Sequence, residues 1–171
     1  GEGSVWVLSD GILFQVDPIE NRLARTIDPI PGNGVAAGDG SVWVIDNLAG
    51  ELARIDPVSG RVAASASLPG SLDAVAVGGG HVWVLDQAAG TVAVVEPSTL
   101  SVIDTVRVGS DEHDMVFGGE AVWLADGGED SVTRIDPLTR ETAVFPVPEY
   151  AEAIAVDPDN GAVWVLIRAV S

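Results

Sequence analysis

The run Asp111-Glu112-His113-Asp114 is the densest titratable cluster in a chain that has only two histidines. Carboxylates on both sides of an imidazole stabilise its protonated form, which suits a general acid or a pH-sensitive contact. His113 also belongs to a column. Counting ten residues back from successive tryptophans gives Asn33, Asp73 and His113, and, allowing for the longer turn at "DPDNG", Glu152. Asp114 sets a second carboxylate beside that column. These residues are the ligand-binding candidates (Asn33, Asp73, His113, Glu152) and the catalytic candidates (His113, Asp114). Oxygen ligands from Asp73, Asp114 and Glu152 match a hard divalent cation such as calcium, and no other cofactor is indicated. The plainer role for such a column is a solvated rim whose side chains cap turns.

Other chemistries lack their residues. There is no cysteine, which excludes a disulfide framework, a thiolate zinc site and a cysteine nucleophile. The phosphate loop G-x-x-x-x-G-K-[ST], the G-x-S-x-G elbow, the H-E-x-x-H helix and the EF-hand spacing are all missing. The balance of 26 acidic residues against 8 basic ones, all arginine, gives a net charge of −18. That charge repels phosphate backbones and anionic lipid surfaces, so a nucleic-acid partner is not expected. No apolar stretch is long enough to insert in a membrane, and no signal peptide is visible. The absence of cysteine fits an extracytoplasmic or secreted setting.

The candidate column exists because the chain repeats. Its five tryptophans, Trp6, Trp43, Trp83, Trp123 and Trp164, are spaced by 37, 40, 40 and 41 residues. Without gaps, residues 38 to 62, 78 to 102 and 118 to 142 agree at a glycine, at "VW", at Asp46, Asp86 and Asp126, and at Pro57, Pro97 and Pro137. A repeat of about 40 residues made of short strands predicts a β-propeller with one four-stranded antiparallel blade per repeat.

One unit shows the strands, A to D. "GVAAGDG" reads as an innermost strand of small residues, "SVWVID" as a β-branched strand apolar on both faces, "ELARID" as alternating, and "RVAASASLP" as the closing strand. On strand B, Trp43 and Ile45 point one way and Val42 and Val44 the other, which suits burial between two sheets. Asp56-Pro57-Val58-Ser59-Gly60 is a turn, with φ preset by proline and positive φ accepted by glycine. Asp46, Asp86 and Asp126 sit where a carboxylate accepts backbone hydrogen bonds from the next turn. Arg54 and Arg134 are expected to pair with acidic neighbours on an exposed face, and His81 to lie on the surface. No helical period is present.

The combination "GSVWVID…GELARIDPVSGRV" resembles the YVTN-type propeller repeats and, more broadly, the virginiamycin B lyase-like and NHL-like propellers. The resemblance runs through almost the whole chain. It implies a fold shared by extracytoplasmic binding or sensor domains, streptogramin-inactivating lyases and lactonase-like enzymes. In the lyase-like propellers a histidine at the channel mouth belongs to the catalytic machinery, and His113 has the comparable setting.

Counted by strand, the chain opens with B, C and D of one blade, runs through three complete blades and stops after A and B of a fifth. The blade parts are residues 1–33, 34–72, 73–112, 113–151 and 152–171 of a single segment, expected to be an arc of a larger six- to eight-bladed ring. Further blades of the same chain, or a second copy, are the partners expected at the open edges. A protein, small-molecule or polymer ligand is expected at the channel mouth. The function expected is a non-enzymatic binding or sensor module; a lyase or lactonase using His113 with nearby carboxylates and a purely structural spacer are the alternatives.

Overall fold

The computed structural model describes residues 3–109 and 111–168, with His113 described by its backbone alone. Seventeen strands form five antiparallel sheets, and no helix occurs among the described residues. The first sheet holds β1 (Val5–Ser9), β2 (Ile12–Asp17) and β3 (Arg22–Ile27). The second holds β4 (Gly34–Gly38), β5 (Ser41–Asp46), β6 (Glu51–Ile55) and β7 (Val62–Ser67). The third holds β8 (Ala74–Gly78), β9 (His81–Asp86), β10 (Thr91–Glu96) and β11 (Ser101–Arg107). The fourth holds β12 (Glu112–Gly118), β13 (Ala121–Asp126), β14 (Ser131–Ile135) and β15 (Thr142–Pro146). The pair β16 (Tyr150–Val156) and β17 (Val163–Arg168) makes the fifth. The molecule is therefore a β-propeller arc of three complete four-stranded blades flanked by partial ones.

Strand B explains how blades adhere. Its two apolar faces feed different cores: Trp43 and Ile45 of β5 pack with Val82 and Val84 of β9, while Val42 and Val44 pack with Trp6 of the first blade. Trp83 and Leu85 repeat the arrangement against Val122 and Leu124 of β13. Each joint thus sets a Trp face against the valine-rich face of the next blade, and Trp43 and Trp83 are buried completely. Burying an aromatic of that size removes the largest apolar area available to one side chain. On β17, which has no strand C beside it, Trp164 stays 67% exposed.

The A strands β4, β8, β12 and β16 lie against one another along the inside of the arc, where space is short. A Cβ on Gly38 would stand 2.2 Å from Val77 Cγ1, and one on Gly118 would stand 2.5 Å from Val156 Cβ. The repeated glycine before strand B is thus required by close approach to the following blade. The Asp-Pro turns form as expected, with Asp56 Oδ1 accepting the N–H groups of Val58 at 2.9 Å and Ser59 at 2.6 Å. Asp46, Asp86 and Asp126 likewise accept turn N–H groups, for instance Leu48 N at 2.9 Å, Ala89 N at 2.9 Å and Gly128 N at 2.8 Å.

Candidate functional site

The upstream column begins as a set of braces. Asn33 and Asp73 precede β4 and β8, and each accepts a backbone N–H from its own blade's B-to-C loop: Asn47 N to Asn33 Oδ1 at 2.7 Å, and Gln87 N to Asp73 Oδ2 at 2.8 Å. Both then reach the adjoining blade. Asn33 Nδ2 donates to Leu72 O at 3.0 Å, and Asn47 Nδ2 donates to Asp73 Oδ1 at 3.3 Å. The Ser71 hydroxyl, 3.0 Å from Asp73 Oδ1 and 3.3 Å from Asn47 Oδ1, closes this inter-blade network.

In the fourth and fifth blades the column changes character. The pairing of β12 with β13 shifts between Glu112 and Asp114, and that of β16 with β17 shifts between Ala151 and Ala153. His113 and Glu152 are the extra residues of these two bulges, which re-aim a side chain relative to the regular strand. The His113 side chain lies outside the described residues. Asp114 accepts Met115 N at 2.9 Å and, from the next blade, Ile154 N at 3.0 Å. Glu152 is gripped by Arg168 through Oε1–Nη2 at 2.6 Å and Oε2–Nε at 3.2 Å. Asp73, Asp114 and Glu152 each keep partners of their own, and no group of three or more acidic or histidine side chains converges to hold a metal among the described residues.

The residue that sequence reasoning passed over is Glu112. It is 1% exposed, and its carboxyl sits beside Asp126, itself 3% exposed. Gly109 N lies 3.3 Å from Glu112 Oε1, while Oε2 has no hydrogen-bond partner. Burial and the Asp126 carboxylate push the Glu112 carboxyl up to about 7, against a weaker pull from the Gly109 amide and the Thr133 hydroxyl. These groups back onto a cleft of about 530 Å³ between the third and fourth blades, lined among others by Gly109, Asp126, Ser131 and Thr133. The signal was readable in the repeat, because Glu112 falls in the column of Leu72, and Ser131 and Thr133 in those of Thr91 and Ala93.

Two expectations need correction at the other end of the blades. His81 is half-buried: its Nδ1 lies 2.9 Å from Gly79 O and its Nε2 lies 3.3 Å from Arg140 Nη2 of the next blade. Arg140, 5.0 Å above the Trp83 ring and 3.6 Å from Asp104, bridges the third and fourth blades. Arg54 donates to Pro97 O of the next blade at 3.1 Å rather than to an acid, because its strand faces a neighbouring turn carbonyl. Arg134 does meet an acid, Asp136, at 3.9 Å.

No protein-family model matches the sequence, and no curated protein is significantly similar to it. Solved structures do resemble it. Virginiamycin B lyase from Staphylococcus aureus superposes with a TM-score of 0.72 at 13% identity, over 100% of this chain and 68% of that one. A streptogramin B lyase gives 0.74 at 15% identity over 97% of this chain and 59% of that one. Glutaminyl cyclase from Myxococcus xanthus gives 0.66 at 16% identity over 91% and 77%. At such identities what is shared is the fold alone, the β-propeller described above.

Proposed function

We propose that the chain is a non-enzymatic binding or sensor module whose rigid, acidic propeller surface receives a ligand or protein, as part of an extracytoplasmic protein. One observation carries this reading: the side chains best suited to chemistry at the strand-A end, Asn33, Asp73 and Asp114, each accept a backbone N–H of their own blade and bond to a group of the adjoining one. Such groups stiffen a surface; their oxygens are already engaged. The net charge of −18 favours a basic partner and disfavours nucleic acid. The exposed apolar residues Val5, Val7, Trp164 and Leu166 on the first and last sheets suit further blades or a second copy.

A lyase or lactonase is the second reading, favoured by the fold shared with two lyases and a cyclase and by a buried carboxyl that titrates near neutrality. The two separate on a substrate panel of streptogramin B and simple lactones, assayed with the unmodified chain and with His113→Ala/Asp114→Asn. The binding reading expects no turnover by either. Turnover that the double substitution abolishes would establish the enzyme instead.

A further inference from the structure

We propose that copies of this chain associate head to tail, with the Trp164 face of the last sheet of one copy seated on the valine face of the first sheet of another. The inference rests on the open faces named in the reading above and commits them to a second copy. Its test reads assembly, not turnover, so the two fail separately.

Each joint inside the chain follows one recipe. A tryptophan on strand B of one blade, with the residue two places on, covers two branched aliphatic side chains on strand B of the next. Trp6 shares a core with Val42 and Val44, Trp43 and Ile45 with Val82 and Val84, and Trp83 and Leu85 with Val122 and Leu124. The fourth joint sets Trp123 with Val163 and Val165. Covered pairs are dry: Val42, Val44, Val82, Val84, Val122 and Leu124 are each at most 2% exposed.

Both halves of a further joint stand open. Trp164 and Leu166 occupy the columns of Trp83 and Leu85, and are 67% and 58% exposed. Val5 and Val7 occupy those of Val42 and Val44, and are 50% and 45% exposed. Apolar neighbours continue each half across its sheet. Ala153 and Ala155 of β16 stand opposite Leu166 and Trp164. Phe14 and Val16 of β2 stand opposite Val7 and Val5, and Leu23 of β3 pairs with Val16 in turn. Directly paired residues share a face, so these are continuous apolar surfaces rather than scattered side chains.

What fits one of these faces is the other. They belong to the first and last sheets, and their exposure shows that neither covers the other within one copy. A second copy supplies the match in the geometry that the internal joints already use. Among the described residues each of the four cores contains a single tryptophan, so a contact of two tryptophan faces has no precedent in the chain. Two different patches in contact make a heterologous interface, which extends or closes into a ring. The net charge of −18 sets copies against one another, so added salt is expected to strengthen the association.

The test is sedimentation velocity on the 171-residue chain from about 1 to about 500 μM in about 0.5 M sodium chloride. The proposal expects reversible, concentration-dependent association of the unmodified chain. Trp164→Glu and Val7→Glu, both at exposed positions, should each be folded by circular dichroism and monomeric. Mixed in equal amounts they should recover a one-to-one dimer and nothing larger, because the first keeps its valine face and the second its tryptophan face. Should a charged variant fold poorly, Trp164→Ala and Val7→Ala must each weaken association at least about tenfold, and unchanged association in either overturns the proposal. An unmodified chain that stays monomeric throughout overturns it and leaves the two faces to further blades or another protein. Association that survives in either charged variant alone overturns it, and survival in Val7→Glu only marks a contact between two tryptophan faces. A mixture that remains monomeric overturns it as well.

Discussion

Leu72 and Glu112 occupy the same place in successive blades, forty residues apart, and both are 1% exposed. One is an apolar plug between strands and the other a carboxyl in the same kind of slot. Replacing Glu112 by leucine therefore exchanges a buried, half-satisfied acid for a side chain that an adjacent blade already accommodates. Glu112→Leu is expected to raise the unfolding midpoint at about pH 8, by an amount equivalent to 1–3 kcal/mol. Chemical denaturation of the two proteins measures it.

The same carboxyl makes stability depend on pH in an unusual direction. Its folded value of about 7 lies above the ordinary 4.5, so the fold prefers the protonated acid. The contribution is fully present below about pH 4.5 and is lost as pH rises through 7, a change of about 3 kcal/mol. Urea midpoints at about pH 5 and pH 8 should show this decline in the native chain and lose it in Glu112→Gln.

The turn acids behave oppositely. Asp17, Asp56 and Asp136 each accept two backbone N–H groups of the following turn, which holds their carboxyls below the ordinary 3.8. Their contribution is present above about pH 4 and disappears as pH falls through the lowered values. Carboxyl NMR titration should find all three below 3.8, and Asp56→Asn should flatten the acid limb of the stability curve.

Asp73 braces the second and third blades from the position where Asn33 does the same work one repeat earlier. Asp73→Ala leaves Gln87 N and Asn47 Nδ2 without their acceptor and should cost about 1–2 kcal/mol. Asp73→Asn, which keeps an acceptor oxygen, should cost clearly less. Thermal unfolding of both variants checks the ranking.

Gly118→Ala places a methyl group 2.5 Å from Val156 Cβ, with no room between the A strands for either to withdraw. A loss of about 1–3 kcal/mol is expected, while Gly40→Ala, where a Cβ meets nothing within 4 Å, should be strained only by its positive φ of 77°. Denaturant midpoints for the pair separate crowding from backbone conformation.

The fold was legible because every blade needs the same few residues: a tryptophan to fill the joint, a glycine to let the A strands approach, an aspartate to hold the next turn. Repetition exposed all three. The site was harder to read because it resides where repetition fails. The column through Asn33 and Asp73 runs true, then meets bulges at His113 and Glu152 that no spacing announces. In "DEHD" the histidine draws attention, yet its neighbour Glu112 is a buried carboxyl. His81 and Arg54 were misjudged for a related reason, since their partners come from the adjoining blade and leave no trace in local sequence.

Strand B carries its tryptophan on one side and its valines on the other. A joint of that kind has a plug and a socket, so it is directional: units add in one order and cannot be reversed, and identical plugs fit identical sockets. Duplication of a single forty-residue segment therefore yields a part that already fits its parent. Novelty is then confined to the seams, where one exchanged side chain alters a single gap and leaves the other joints as they were.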